Sequence, residues 1–390
     1  MNKIELINEI NSIVDFGVNG YVKRDDREFH GHPNFYILHT KEEFDKELNR
    51  VIPNKETYDR YDLFYYSNYM FKYMLNQYDS HTFVVFMNSF LLPIKIRIIN
   101  DFPYIVDGVN VIKGSRIQKI NGVDIVDIIK NIESIICYAS SDYLKISLED
   151  CLNDINVLKS LPAINIHDEI IITTDKGEYK FDLNNLDKYI DKTQKENYQL
   201  DVVDRTAVIS YKSCKDIDKM NELVDKLNNL DGIDNYIVDL RGNGGGQSAV
   251  NGPLVSFLKD KNVVVLCDER VFSSARMCLV DLKRNGAKII GTRPGTPINC
   301  FGNNVMKKSL FDMKLEFKGS ATYWYYDDNY RCHGYYKDNF KEELANNPHI
   351  LDIVFLDVDE EKELTLDDYI NHKDSVLEYA LETINKQRKL

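Results

Sequence analysis

Three short apolar runs separated by two helical patterns constrain the fold more than any other feature of the sequence. The runs cover residues 236–240, 263–266 and 288–291, and the helical patterns cover roughly residues 249–258 and 275–284. Short runs rich in Val and Ile and bounded by turn residues are typical of buried strands. Strands and helices that alternate at this spacing predict a parallel sheet with right-handed crossovers, and therefore an α/β fold.

Two loops fall after the first two of these predicted strands. The glycine loop, residues 241–246, reads RGNGGG with four glycines among its last five residues, and the serine loop, residues 269–275, reads ERVFSSA. Sites in parallel sheets lie beyond the carboxyl ends of the strands, where both loops are placed. Taken singly, the serine can be a helix N-cap and the glycines a simple turn. A serine nucleophile beside preset backbone N–H donors, however, is what acyl transfer requires.

The two loops and their surroundings together resemble a known family. The motifs DLRGNGGG, VFSSA and AKIIGT, followed by Phe301-Gly302, are similar to those of the C-terminal-processing and tricorn-like serine peptidases. The resemblance is most specific over residues 236–302 and extends more weakly over residues 78–381. It implies a ClpP/crotonase-like α/β catalytic core with an attached PDZ-like domain.

The resemblance also implies which residues form the catalytic site. The family pattern places the nucleophile at the serine that precedes alanine, which is Ser274 here. It takes the oxyanion hole from the N–H of Ala275 and from the N–H of Gly245 or Gly246. One branch of the family has a lysine base about two dozen residues further on, but the turn at residues 291–296 reads GTRPGT and holds no lysine. A Ser–Lys pair is therefore not expected.

The tricorn-like branch instead takes a histidine from far upstream, in a Ser-His context. His81 follows Ser80 and precedes Thr82 at a helix-to-strand junction, so the resemblance indicates His81 as the general base. A histidine near its ordinary pKa suits proton transfer at neutral pH. Ser80 either hydrogen-bonds within the site or caps a turn. The acid that would orient the base is left open, with Glu342 as the first candidate and Glu343 and Asp327 behind it.

Periodicity divides the chain into four parts. Residues 1–90 are mainly helical and carry the candidate base, residues 91–184 alternate strands with a helix, residues 185–202 are polar and indicate a linker, and residues 203–390 form the α/β core. The second part contains Asn121-Gly122 in a segment that resembles the strand–turn piece of PDZ domains. A small PDZ-like α+β domain that binds peptide and a bridging domain that only packs on the core both remain open.

The amino-acid composition limits which partners the protein is expected to bind. The net charge of −13 argues against nucleic acid and anionic membranes, which need a basic face. No run approaches a membrane span of about 18 apolar residues, and the N-terminus reads as an amphipathic helix. Seven cysteines with no Cys-x-x-Cys pair favour reduced thiols over disulfides or a zinc site, so no metal is expected and a cytoplasmic location is predicted. A homo-oligomer is left open.

These observations favour a serine peptidase that cleaves peptides or protein C-terminal regions through an acyl-enzyme on Ser274, without a cofactor. Two alternatives remain. A non-catalytic ligand- or peptide-binding protein on the same fold would have an apolar cavity. A crotonase-like thioester enzyme would need a basic phosphate patch beside the glycine loop, and the sequence offers none.

Overall fold

The computed structural model describes residues 1–24, 26–75, 79–189 and 196–386. Local signals account for several of the helix starts in it. The first helix, for example, begins with a capping box between Asn2 and Glu5 and buries residues at a spacing of three and four. The α-helices are α1 (Lys3–Asn19), α2 (Lys41–Val51), α3 (Arg60–Met74), α4 (Ile125–Glu133), α5 (Ser141–Asn153), α6 (Ile155–Ser160), α7 (Ile217–Asn228), α8 (Asn251–Phe257), α9 (Ser274–Arg284), α10 (Lys337–Asn346), α11 (Leu366–Asn371) and α12 (Ser375–Lys386).

The strands belong to several sheets. They are β1 (Tyr21–Arg24), β2 (Arg27–His30), β3 (Phe83–Phe86), β4 (Ile94–Ile99), β5 (Phe102–Gly108), β6 (Ser115–Ile120), β7 (Val123–Asp124), β8 (Glu169–Thr174), β9 (Gly177–Asp182), β10 (Tyr198–Val203), β11 (Thr206–Tyr211), β12 (Asn235–Asp239), β13 (Asn262–Cys267), β14 (Lys288–Gly291), β15 (Cys300–Gly302), β16 (Met306–Leu310), β17 (Leu315–Gly319), β18 (Thr322–Tyr326), β19 (Cys332–Tyr335) and β20 (Glu360–Glu361).

The main sheet confirms the predicted parallel unit. Its strand order is β10-β11-β12-β13-β14-β20, and all neighbours are parallel except β10 and β11. Successive residues of β12 face opposite sides: Val238 packs with α7, α8 and α9, and Ile237 packs with α12. The fold is therefore mixed α/β, with this sheet covered by helices on both faces.

A second sheet, in the order β4-β5-β6-β8-β9, is antiparallel, with β7 paired to β6. The predicted tight turn at Asn121-Gly122 joins β6 to β7, and both residues have positive φ, 46° and 79°. The sheet contributes to the same apolar core as α1, α2 and α3.

Two small sheets contain β15 to β19, and one of them also includes β3 from the early part of the chain. In the first, β17 pairs with both β16 and β3, so Phe317 lies opposite Val84. The second has the order β15-β18-β19. The predicted division into residues 1–90 and 203–390 therefore separates two strands, β3 and β17, that are hydrogen-bonded neighbours.

The structure corrects the predicted linker, residues 185–202. Strand β10 begins at Tyr198 and pairs with β11 along its whole length. Tyr198 and Leu200 pack on the core of the main sheet and alternate with Gln199 and Asp201, as expected of a strand, but this short pattern directly follows a long polar stretch. Residues 190–195 of this segment lie outside the described residues.

The C-terminal segment over residues 365–383 forms two helices with a break between them. His372 adopts a left-handed conformation with φ 54°, which ends α11, and α12 starts at Ser375. In the described parts of the chain, no helix is both long enough and apolar enough to cross a membrane.

Candidate active site

Asn243 fixes the glycine loop in place. Its side chain is fully buried; the amide nitrogen donates to the carbonyl of Tyr211 at 2.9 Å, and Oδ1 accepts from the N–H of Gly245 at 2.9 Å. Its own carbonyl accepts from the N–H of Phe272 at 3.0 Å. This one residue therefore joins strand β11, the glycine loop and the serine loop.

Ionic contacts hold the start of the glycine loop. The Arg241 guanidinium donates to Asp239 at 2.8 Å and makes two bonds to Asp374, of 2.8 and 2.7 Å. The N–H of Gly242 donates to Oδ1 of Asp268 at 2.9 Å, which ties the glycine loop to the end of β13. The ends of β12 and β13 are thus joined by side chains as well as by their parallel pairing.

Two positions of the glycine loop require glycine. Gly245 has φ 91°, and a Cβ atom there would lie 2.8 Å from the carbonyl oxygen of Phe272, the Cβ of Ser273 and the amide nitrogen of Ser274. Gly246 has φ 143°, and a Cβ there would lie 2.2 Å from the carbonyl oxygen of Cys214. The loop backbone consequently touches the serine loop with no room for a side chain.

The two serines differ in conformation. Ser273 has φ 53° and ψ −123°, a strained combination for a residue with a side chain, and its hydroxyl does not cap helix α9. Ser274 is the first residue of α9 and is 6% exposed, and its hydroxyl donates to the carbonyl of Gly246 at 2.8 Å. Ser273 is partly exposed in the cleft described below. The N-cap interpretation therefore does not explain Ser273.

The backbone N–H groups near the serines are not equally free. The N–H of Ala275 donates to the carbonyl of Phe272 at 3.1 Å, and that of Gly245 donates to Asn243. Within the described residues, no hydrogen bond engages the N–H groups of Ser274 and Gly246. Of the predicted oxyanion donors, Gly246 is thus the one with an available N–H.

His81 reaches this region from the other side. It lies just before β3, and its ring stacks on Phe272 of the serine loop, with centroids 4.3 Å apart and planes inclined by 23°. The side chain is buried, and neither ring nitrogen has a hydrogen-bond partner among the described residues. No hydrogen bond therefore joins His81 to either serine here, and both ring nitrogens remain available.

Burial lowers the pKa of His81 to about 4. Desolvation, the largest cause, disfavours the imidazolium, and the positive charge of Arg276 acts in the same direction. The negative charge of Asp79 and the backbone of Phe301 act against it. At neutral pH the ring is therefore uncharged and able to accept a proton.

A buried histidine–aspartate pair that the sequence analysis missed lies beside His81. The Nε2 atom of His32 is 2.9 Å from Oδ2 of Asp79, and both side chains are fully buried. Nδ1 of His32 accepts from the N–H of Asn34 at 2.9 Å, which places the ring proton on Nε2, facing both the Asp79 carboxylate and the Thr82 hydroxyl, whose Oγ1 is 2.6 Å away. Asp79 Oδ1 in turn accepts from the backbone N–H of His81 at 3.2 Å.

The pKa of Asp79 is held below its ordinary value. Burial alone would raise it, but His32 and His81 and the hydrogen bonds to the carboxylate outweigh that effect. Because Asp79 contacts the backbone of His81 and not its ring, it positions the segment that carries His81. Only the long-range pairing of His32 with Asp79 reveals this role, and no short motif marks it.

The other predicted residues lie elsewhere. Glu342 is exposed on α10, Glu343 is half-buried on the same helix, and Asp327 bonds to His333 at 3.1 Å. None of the three lines the cleft that contains His81. Ser80 lines a separate apolar cavity, and its carbonyl accepts from Tyr143 at 3.4 Å. The structure thus brings together the predicted serine, glycines and histidine, but not the predicted acids.

These groups share one cleft of about 680 Å³. The loops that follow β12 and β13 form one wall of the cleft. Strands β15 and β18 form another, together with residues 303–305, and the β1–β2 hairpin lies at the rim. Its catalytic candidates are His81, Ser273, Ser274 and Gly246, and Trp324 and Met277 add apolar surface. No group of three or more His, Cys, Asp or Glu side chains within the described ranges is arranged to hold a metal ion.

We expect Gly245→Ala to lower the free energy of unfolding by about 1–3 kcal/mol, because the new methyl group meets backbone atoms and the φ angle is unfavourable. It should also displace the glycine loop from the serine loop. Chemical denaturation measures the first effect. Gly244→Ala is the matched control, since a Cβ there meets nothing within 4 Å. Equal stability of the two variants would contradict the close contact.

The buried His81 predicts a pH dependence of stability. Its pKa is about 4 in the folded chain and near 6.5 when unfolded, so the unfolded state binds the extra proton between these values. The free energy of unfolding should therefore fall by up to about 3 kcal/mol as the pH drops from 6.5 to 4.

Urea titrations of the parent chain and of His81→Phe over this range test the expectation. The difference between the two chains isolates His81, and the exposed His349, in His349→Gln, is the control. If the parent and His81→Phe lose stability in parallel on acidification, His81 is not buried as described.

Comparison with known proteins supports the fold. No family model and no curated protein sequence matches the chain. Among solved structures, mature CPAF complexed with lactacystin has a TM-score of 0.60 at 11% identity, covering 98% of this chain and 99% of that chain. The photosystem II D1 C-terminal processing protease has a TM-score of 0.46 at 9% identity, over 95% and 97% of the two chains.

The tricorn protease has a TM-score of 0.44 at 14% identity, and the match covers 99% of this chain and 37% of that chain. At such low identity the likeness concerns the fold alone, and the argument for it rests on the match to CPAF. The chain therefore has the fold of mature CPAF over 98% of its length, and its motifs resemble those of the C-terminal-processing and tricorn-like peptidases.

Proposed function

We propose that the chain is a serine peptidase that hydrolyses peptides or protein C-terminal regions through an acyl-enzyme. The observation that carries the proposal is the meeting, in one cleft, of a strained serine, unengaged N–H groups and a neutral histidine with both ring nitrogens free. Strained backbone and perturbed histidines cluster at catalytic sites. CPAF, the D1 processing protease and the tricorn protease, with which the chain shares its fold, are consistent with it.

The nucleophile is one of two adjacent serines. The resemblance assigns Ser274, whose hydroxyl is engaged with the carbonyl of Gly246. The geometry favours Ser273, because its hydroxyl makes no cap hydrogen bond to α9 and its dihedral angles are those of a sharp strand-to-helix turn. A turn of this kind presents the nucleophile in α/β-hydrolases. With Ser273 as nucleophile, the N–H groups of Ser274 and Gly246 are the oxyanion donors. With Ser274, that role goes to Ala275 and Gly246.

The proposed reaction needs only these groups. His81 accepts the serine proton as the hydroxyl attacks the scissile carbonyl, and the two N–H donors stabilise the oxyanion of the tetrahedral intermediate. His81 then protonates the leaving amine, and water releases the acyl group. Catalytic hydrogen bonds are often absent without substrate, so the unbonded His81 is compatible with this role. Glu342 remains a prediction from the resemblance, and no contact in the cleft supports it.

The proposal also includes an assignment of the sheets to domains. We assign the main sheet and its helices to a ClpP/crotonase-like core. The sheet β4-β5-β6-β8-β9 with helix α4 is proposed as a PDZ-like or bridging domain. Helix α4 packs against the antiparallel sheet, and a tight turn joins β6 to β7. Both features support this assignment. Strand β9 lies at an edge of that sheet, where an added peptide strand would pair.

A fluorophosphonate probe tests the proposal directly. We expect an adduct on the serine loop, mapped by mass spectrometry, that disappears in Ser273→Ala and persists in Ser274→Ala. Loss of the nucleophile should lower kcat/KM by about four orders of magnitude or more. Loss of the base in His81→Ala should lower it by about two to four orders. An adduct lost only in Ser274→Ala would make Ser274 the nucleophile.

A ligand-binding protein is the second candidate. A mostly apolar cavity of about 340 Å³, lined among others by Phe64, Phe71, Phe86 and Val157, lies behind the His81 segment and favours it. Absence of any adduct at every pH, together with binding of an apolar fluorescent probe that is indifferent to His81→Ala, would support this candidate over the peptidase.

A further inference from the structure

The Arg276 side chain is buried in the floor of the cleft without a counter-ion. It is the third residue of α9, is 1% exposed, and is the largest of the fully buried side chains. Its Nη1 atom donates to the carbonyl of Pro297, whereas Nε and Nη2 have no hydrogen-bond partner among the described residues. Within the same residues, no carboxylate forms an ion pair with it.

The groups around Arg276 do not neutralise it. The ionisable groups that act on it most strongly are Cys300 and Tyr326. Burial raises the pKa of both, so the thiol and the phenol stay uncharged at neutral pH. A guanidinium remains charged in proteins, and a buried charge without a partner is unfavourable. An anion bound beside Arg276 would supply the missing counter-charge.

The two free donors define which anion fits. Nε and Nη2 lie on one edge of the planar guanidinium, the edge that a carboxylate bridges with two parallel N–H···O bonds. A primary amide offers a single acceptor oxygen and cannot make both bonds in this way. The third donor group, Nη1, is already held by Pro297, which fixes the plane of the fork.

The charge of the whole cleft is consistent with an anionic ligand. Arg24 and Arg27, opposite each other at the tip of the β1–β2 hairpin, line it together with Arg276. None of the described residues that line the cleft is Asp or Glu, although the chain has 62 acidic residues against 49 Lys and Arg. A positive cleft in a chain of net charge −13 raises the local concentration of anions.

We propose that Arg276 binds a carboxylate of the substrate through Nε and Nη2, so that the cleft selects peptides with an acidic side chain or a free C-terminal carboxylate near the bond to be cut. This inference rests on the proposed peptidase function for its place in a reaction. The carboxylate site itself can be measured without turnover.

The test uses fluorescein-labelled octapeptide pools that hold either Glu or Gln at one scanned position, each made with a free or an amidated C-terminus. Binding to the Ser273→Ala/Ser274→Ala chain is followed by fluorescence anisotropy. We expect the carboxylate-bearing pools to bind at least about tenfold more tightly. A preference that follows Glu over Gln identifies a side chain, and one that follows the free terminus identifies the chain end. Equal binding of all pools overturns the proposal.

Variants of Arg276 assign the preference to this side chain. Arg276→Met keeps the length without the charge and should abolish the preference, while Arg276→Lys keeps the charge without the fork and should weaken it. Arg284→Gln, on the exposed end of the same helix, is the matched control. A preference that survives in Arg276→Met overturns the assignment. If Arg276→Met does not fold, the binding of the peptide pools to the chain with Arg276 unaltered still tests the preference for a carboxylate.

Labelling with a neutral fluorophosphonate separates this proposal from the peptidase proposal. An adduct without any carboxylate preference leaves the peptidase standing and overturns the Arg276 site. A carboxylate preference without an adduct supports the Arg276 site and contradicts the peptidase.

Discussion

The hydrogen bonds of the buried Asn243 are the constraint on which the cleft depends. They hold the glycine loop to β11 and to Phe272, and so press Gly245 against Ser273. A strained backbone persists only where its surroundings over-determine it, and this contact supplies that restraint for Ser273. The parallel register of β12 and β13, which pairs Asp239 with Leu266, brings both loops to the same edge of the sheet. The geometry of the site therefore follows from the parallel register of β12 and β13 and from the hydrogen bonds of the Asn243 side chain.

The electrostatics of His81 follow from its burial. His81 stacks on Phe272 and is kept neutral by desolvation, whereas the carboxylate next to it, Asp79, is committed to His32 and to the backbone. A neutral imidazole can accept a proton, but no carboxylate of the described residues is hydrogen-bonded to the ring to stabilise the imidazolium that results. Stabilisation of a protonated His81 ring then has to come from bound substrate or from the negative charge of Asp79, which bonds to the backbone of His81 and not to its ring.

Local patterns predicted the main sheet, because apolar runs and turn residues are adjacent in sequence. They failed where function depends on contacts between distant residues. His81 was identified only through the resemblance, since nothing nearby distinguishes it from the other histidines. The His32–Asp79 pair joins positions 47 residues apart, and β10 was missed because it is short and directly follows a long polar segment. Arg276 reads in sequence as an ordinary polar residue of a helix, and its burial arises only when the β15–β18 sheet covers α9.

Arg276 and His81 are coupled through their charges. The guanidinium lowers the pKa of His81, and with no anion in place its field opposes protonation of the base. A carboxylate bound at Nε and Nη2 would cancel much of that field, since opposite charges within a few ångströms act as a neutral pair on a third group. The pKa of His81 would then rise toward neutrality, where a general base is most effective. On this reasoning, the charge that selects the substrate would also make the base stronger once the substrate is bound.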